Sequence, residues 1–247
     1  MRYQINFMLP LEDFFKSPFT VDNIIFGFDQ DDLKVLLIKR QEDPHMNEWA
    51  LPGYFVKENE NLDDAAVRVL EELTGLKEVY LEQVSTFGDI NRHPSGRVIT
   101  VAYYSLIAIQ DYNIKPSNIA SEAKWVKIKD INEMPFDHFA ILQSCFQRLK
   151  RKVRVEPIGF ELLPTKFTLT DLQHLYEAIL EVKLDKRNFR KKILSMDLLF
   201  DLNEVQEGVA HRPARLYKFY ESKYQEFLAK GLVFDLSEGK SKKSKAR

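Results

Sequence analysis

Between Leu51 and Leu76 the chain reads LPGYFVKENENLDDAAVRVLEELTGL, and Glu60 and Glu72 are the residue type for metal or acid–base chemistry. An α-helix turns about 100° per residue, so positions 69, 72 and 73 share one face. Three carboxylates there would make a hard oxygen cage for magnesium, which demands near-octahedral ligation. That face instead reads Val69, Glu72, Leu73. One glutamate cannot hold magnesium tightly, and Glu60 in the preceding loop is a distant second. The expectation is no metal site, no catalytic residue and no cofactor. A second constellation is cationic: Lys186, Arg187, Asn188, Arg190 and Lys191 fall within six residues, followed later by His211, Arg212, Arg215 and Lys218. Arginine pairs with guanine and asparagine with adenine, while lysine settles on phosphates, so this is nucleic-acid chemistry.

The flanking segments predict the elements that must carry these groups. Val21 to Arg40 reads as two strands joined by a polar turn at Asp29 to Asp32. Leu62, Ala65, Ala66, Val69, Leu70 and Leu73 fall at helical spacing. FGDINRHPSGRVITVAYYSLIAI (Phe87 to Ile109) predicts a loop and then a strand, AKWVKI another strand, and the stretch from Asp137 a helix. Phe167 to Leu180 predicts a helix with threonine caps, and Asp185 caps the next, Lys186 to Met196. That second helix buries Phe189, Ile193 and Leu194 and displays its cations. A strand, a polar turn around Gly208 and a second strand then make a basic hairpin. Helix, basic helix and hairpin in this order form a winged helix-turn-helix, whose second helix reads the major groove.

The Leu51–Leu76 segment resembles the Nudix box, G-x5-E-x7-R-E-U-x-E-E-x-G-U, with U a bulky apolar residue. It keeps Glu60, Arg68, Leu70, Glu72, Gly75 and Leu76, and it loses the opening glycine to Tyr54 and two glutamates to Val69 and Leu73. Pro44, Trp49 and Leu51-Pro52-Gly53 extend the likeness over roughly 130 residues. LPTKFTLTDLQHLYEAILEVKLDKRNFRKKIL and HRPARLYKFY resemble the C-terminal part of the Nudix-related transcriptional regulators of bacteria, most like their arabinose-responsive branch. The resemblance implies an α+β chain: an α/β/α-sandwich Nudix domain (1–151) for effector binding and dimerisation, a linker (152–164) that the sequence reads as extended and proline-bounded, a winged helix-turn-helix (165–236) and a basic tail (237–247). It implies a homodimeric repressor of sugar-utilisation genes, bound to double-stranded operator DNA and released by a sugar such as L-arabinose. The alternatives are a repressor of NAD metabolism answering to ADP-ribose, an active Nudix hydrolase, or an interaction protein whose Nudix-like domain is only a dimerisation platform.

The effector pocket is expected to draw on Arg40, Trp49, Tyr54, Glu60, Glu72, Asp89, Arg92 and Arg97. An aromatic ring beside carboxylates suits a neutral polyol, and Glu60 and Glu72 would repel a diphosphate lacking a cation. Arg40, Arg92 and Arg97 argue the other way, because they could neutralise phosphates. Composition narrows the class. The 247 residues are 45% hydrophobic and 30% charged, long enough for two domains. No membrane span or secretion signal is expected, so the chain reads as cytoplasmic. The one cysteine, Cys145, sits among helical apolar residues and reads as a buried thiol. Residues 151–247 hold 20 Lys and Arg against 14 Asp and Glu, whereas residues 1–150 carry a balance of −7. A basic half joined to an acidic half places the polyanion partner at the C-terminal side.

Overall fold

A computed structural model describes residues 18–116, 120–208 and 212–230. The first half is built on a mixed sheet. β1 (Phe19–Phe28) lies at its centre, antiparallel to β2 (Leu33–Arg40) and β4 (Gly53–Phe55) and parallel to β6 (Ile99–Ala108). Outside these run β3 (Trp49–Ala50) and β7 (Ala120–Lys127) on β2, and β5 (Glu82–Phe87) on β6. Strand side chains alternate between faces, so β1 serves two cores. Ile24, Phe26 and Phe28 pack with α2 (His138–Val155), while Val21 and Ile25 pack on the opposite face with α1 (Leu62–Thr74). Helix, sheet and helix form the expected sandwich. The turn between β1 and β2 is fixed by Asp29, whose Oδ1 accepts from the Asp32 amide at 2.9 Å.

The second half contains α3 (Leu169–Leu180), α4 (Lys186–Ser195), the hairpin β8 (Leu199–Val205) with β9 (Arg215–Phe219), and α5 (Glu221–Ala229). Its helices start where the sequence puts caps. Thr168 accepts from Thr170 and Asp171 amides, Asp171 accepts back from the Thr168 amide, and Asp185 accepts from the Asn188 amide at 2.8 Å. Each such cap contributes about 1 kcal/mol.

Two expectations change. Leu194 is 47% exposed rather than buried, because α4 seats only Phe189 and Ile193 against α3. The segment 152–164 is not an extended linker. It holds the last turn of α2 and a short 3-10 helix, Ile158–Leu162, with Phe160 and Leu162 buried. Those apolar side chains favour burial over hydration, so one hydrophobic core runs unbroken from Ile24 through Leu149 and Phe160 to Ile193. Cys145 is buried in it, and burial pushes its thiol up to about 12. Among the described residues, no helix is long and apolar enough to cross a membrane.

Candidate effector pocket and nucleic-acid interface

Two adjoining cavities, of about 390 and 1010 Å³, open beside the β1 end of the sheet and the start of α2, and Arg92 and Phe136 line both. The smaller gathers Arg40, Tyr54, Arg92 and Arg97; the larger takes Trp49, Asp89 and Arg92. Six of the eight expected effector residues therefore meet around one concavity. Glu60 and Glu72 do not. Arg68 Nε and Nη2 donate to Glu60 at 2.8 and 2.6 Å, and Nη1 donates to Glu72 at 2.9 Å. Those hydrogen bonds, joined by one from the Lys57 amide, hold the Glu60 carboxyl down at about 2. The two box glutamates thus serve a scaffold ion-pair network, and the expectation that they bind an effector polyol is corrected.

The donor set does not suit the divalent metal implied by the box. Val69 and Leu73 are fully buried against the sheet, and Glu72 is tied to Arg68. Among the described residues, no three His, Cys, Asp or Glu side chains converge as metal ligands.

The floor of the smaller cavity is a buried polar cluster that sequence patterns did not disclose. Asp22 accepts from Thr100 Oγ1 at 2.7 Å and lies 3.5 Å from both Arg92 and His138 Nε2. Arg92 donates twice to Asp137, at 2.9 and 2.7 Å. His138 Nδ1 accepts the Leu51 amide at 3.1 Å, so its proton sits on Nε2, facing Asp22. Burial lowers the pKa of His138 despite its acidic neighbours Asp22 and Asp137. Gly53 permits this packing, since a Cβ there would fall 1.9 Å from Asp22 Oδ1.

Above the floor stands an aromatic wall. The His93 ring stacks on Phe136 at 4.9 Å, His45 meets it edge-on at 4.8 Å, and the Arg40 guanidinium sits 5.0 Å from its centroid. Phe136 has φ 56°, a left-handed conformation costing an L-residue about 1 kcal/mol. Strain of this kind persists where surrounding contacts over-determine it, commonly at ligand sites. Asp22, His93, Phe136, Asp137 and His138 are the pocket residues missed from sequence. For Phe136, Asp137 and His138 the one available signal, MPFDHF, reads as a plain helix start, and Asp22 and His93 carry none.

In the second half, Lys186, Arg187, Asn188 and Lys191 are exposed along α4. Arg190 is different. It is half-buried, its Nη2 donates to Thr170 at 3.0 Å, and among the described residues its buried Nε has no partner. It braces α4 on α3 rather than facing solvent. Arg212 is exposed just before β9, and Arg215 pairs with Asp201 at 2.9 Å across the hairpin. His211 lies outside the described residues, as do positions 231–236 of the expected reader and the basic tail.

Comparison with known proteins agrees with both halves. The NUDIX domain model matches residues 16–147, and the NrtR DNA-binding winged helix domain model matches residues 159–219. The ADPR responsive transcriptional repressor NtrR of Acinetobacter baylyi is 38% identical over 204 residues, covering 81% of each chain. Shewanella oneidensis NrtR, in its crystal structure with a 27mer DNA, is 32% identical with a TM-score of 0.71, covering 84% of this chain and 95% of that one. Its isolated NUDIX domain in complex with ADP ribose is 33% identical with a TM-score of 0.51, covering 56% of this chain and 92% of that one. A Nudix sandwich followed by a capped winged helix is thus a known combination, and the chain belongs to the NrtR family of Nudix-domain regulators.

Proposed function

We propose that this protein is an ADP-ribose-responsive transcriptional repressor that binds operator DNA as a homodimer through α4 and acts in the cytoplasm. The observation that carries the reading is the cavity in which Arg40 and Arg97 stand beside an aromatic wall. Guanidinium groups recognise phosphate by directed hydrogen bonds, and aromatic faces accept a planar base. The pentose favoured from sequence rested on Glu60 and Glu72 as hydroxyl acceptors, and both are spent on Arg68. ADP-ribose, the alternative raised there, fits the similar proteins: the Acinetobacter repressor is ADPR responsive, and the Shewanella NUDIX domain was crystallised in complex with ADP ribose.

The coupling follows from linkage. A ligand that binds better to an arrangement of the two reading helices unsuited to the operator must weaken DNA binding by the factor by which DNA weakens ligand binding. α2 starts at the cavity, with His138 in its lining, and its far end packs through Leu149 and Val153 into the core shared with α3. The Nudix domain acts as a sensor rather than a hydrolase, because Val69 and Leu73 offer no metal ligand. The test titrates ADP-ribose, L-arabinose and other pentoses into a preformed protein–operator complex followed by fluorescence anisotropy. ADP-ribose releases the DNA and the pentoses do not. Release by arabinose alone refutes the effector, and magnesium-dependent turnover of ADP-ribose that Glu72→Ala abolishes refutes the sensor-only role.

A further inference from the structure

The arginines of the first half differ in what they already hold. Arg68 is neutralised by Glu60 and Glu72, and Arg92 by Asp137 with Asp22 behind it. Arg40 is held by neutral groups. Its Nε donates to the Pro44 carbonyl at 3.0 Å, its Nη2 to the Glu42 carbonyl at 3.3 Å, and its cationic plane lies by the Phe136 ring. Glu42, Asp22 and Glu48 act on it only through their longer-range field, and among the described residues none forms an ion pair with it; Glu42 accepts from the Tyr54 hydroxyl at 3.3 Å, and Asp22 from Thr100. Carbonyls orient a guanidinium without cancelling its charge, so Arg40 meets the cavity pre-set and still cationic.

We infer that Arg40, with Arg97 on the same cavity wall, receives the anionic diphosphate of the effector directly, with no divalent cation between protein and ligand. This rests on the ADP-ribose reading and specifies how that site works. A metal-bridged diphosphate needs carboxylates free to share a cation. The box carboxylates are bound to Arg68, away from the cavity lining, and Asp22 and Asp137 are bound to Arg92. Recognition by guanidinium makes affinity insensitive to chelators and sensitive to salt.

The full chain tests this by calorimetric titration with ADP-ribose, ADP, pyrophosphate and adenosine, each in EDTA and in magnesium, for the wild type and for Arg40→Gln. ADP-ribose affinity in EDTA matches that in magnesium within about twofold. Arg40→Gln weakens ADP-ribose and ADP by about tenfold or more, as loss of a charged hydrogen-bond donor does, and leaves adenosine within about twofold. Arg97→Gln, checked for an unchanged melting temperature, moves the same ligands in the same direction by less. If ADP-ribose binds and releases DNA but needs magnesium, or ignores Arg40→Gln, the inference fails and the proposed function stands. If ADP-ribose does not bind while ADP and pyrophosphate bind through Arg40, the proposed effector fails and the direct anion contact stands. If none of the anions binds, both fail.

Discussion

Asp137 and Asp185 occupy the same position, the residue before the first turn of α2 and of α4, and spend their carboxylates differently. Asp185 accepts from the Asn188 amide, as a capping aspartate does. Asp137 makes no cap bond and instead takes both hydrogen bonds of the buried Arg92 guanidinium. Asn61, before α1, likewise leaves its helix uncapped and donates to Asp64 at 3.1 Å. In the reader half local rules are obeyed, so the sequence spells out helix starts. In the sensor half the helix starts leave their caps unused, and Asp137 is drawn into a long-range polar contact beside a cavity. Local rules tend to break where a site needs the side chain more than the helix does.

That contrast makes two substitutions unequal. Asp137→Ala strands Arg92, whose side chain is 3% exposed, with only the 3.5 Å contact to Asp22. Removing one partner of a buried pair leaves an uncompensated charge, so denaturant unfolding should show a loss of about 3 kcal/mol. Asp185→Ala removes one cap at a solvent-exposed helix start and should cost about 1 kcal/mol. Equal losses would mean that Asp137 is an ordinary helix residue and that the comparison has no content. Both variants should unfold in a single transition, since one core spans the two halves.

The reader half can be sharpened the same way. Arg187 is exposed on α4, whereas Arg190 is tied to Thr170. Arg187→Ala should weaken operator binding by roughly 1–3 kcal/mol while leaving the melting temperature unchanged. Arg190→Ala should instead lower the melting temperature, with any loss of DNA affinity following from a loosened α4. Lys191→Ala should weaken binding to all sequences alike and flatten its salt dependence. Anisotropy titrations at several salt concentrations, beside thermal melts, separate the three. An Arg190→Ala variant that melts normally and loses operator specificity would return Arg190 to the base-reading set.

How much was legible follows from how far each signal travels along the chain. β1, β2, β6, β7, α1, the caps at Thr168 and Asp185 and the order of the winged helix depend on neighbours within a few residues, and sequence periodicity carries them, whereas the short β3 and β4, and β5, gave no such signal. Leu194 fits the apolar period of α4, yet nothing local says that α3 covers only Phe189 and Ile193. The Arg92–Asp137 pair joins residues 45 positions apart, and Thr100 reaches Asp22 across 78. Such partners are chosen by the sheet register, which single positions do not encode. The failed reading of Glu60 and Glu72 has a different root, because their partner is local. Their types suited a ligand, but Arg68, eight and four residues away, already satisfied them. Segment 152–164 misled for another reason: its prolines suggested an extended chain, while its Phe160 and Leu162 had a core to enter.

The smallest expected effect is a pH dependence that belongs to the sensor half, and its sign is fixed by His138. Burial lowers the folded-state pKa of this imidazole below its ordinary 6.5, so the neutral ring favours folding. Its contribution is complete above that value and is lost as pH falls through the folded-state pKa. Asp22 and Asp137 oppose the shift, and Arg92 and Arg40 reinforce it. Glu60 acts later. Its folded carboxyl sits near 2 against an ordinary 4.5, so its contribution holds above about 4.5 and drains away towards 2. Stability should therefore fall over two pH ranges, an upper stage set by imidazole and a lower one by the Arg68 network. His93, also lowered by burial, contributes to the upper stage from the cavity wall. Melting temperature followed from pH 7 downward checks this: His138→Gln should flatten the upper stage, His93→Gln should flatten it less, and neither should alter the lower one. If the upper slope survives in the His138/His93 double variant, the proton is taken up elsewhere and the buried cluster is not the pH-sensitive part of the molecule.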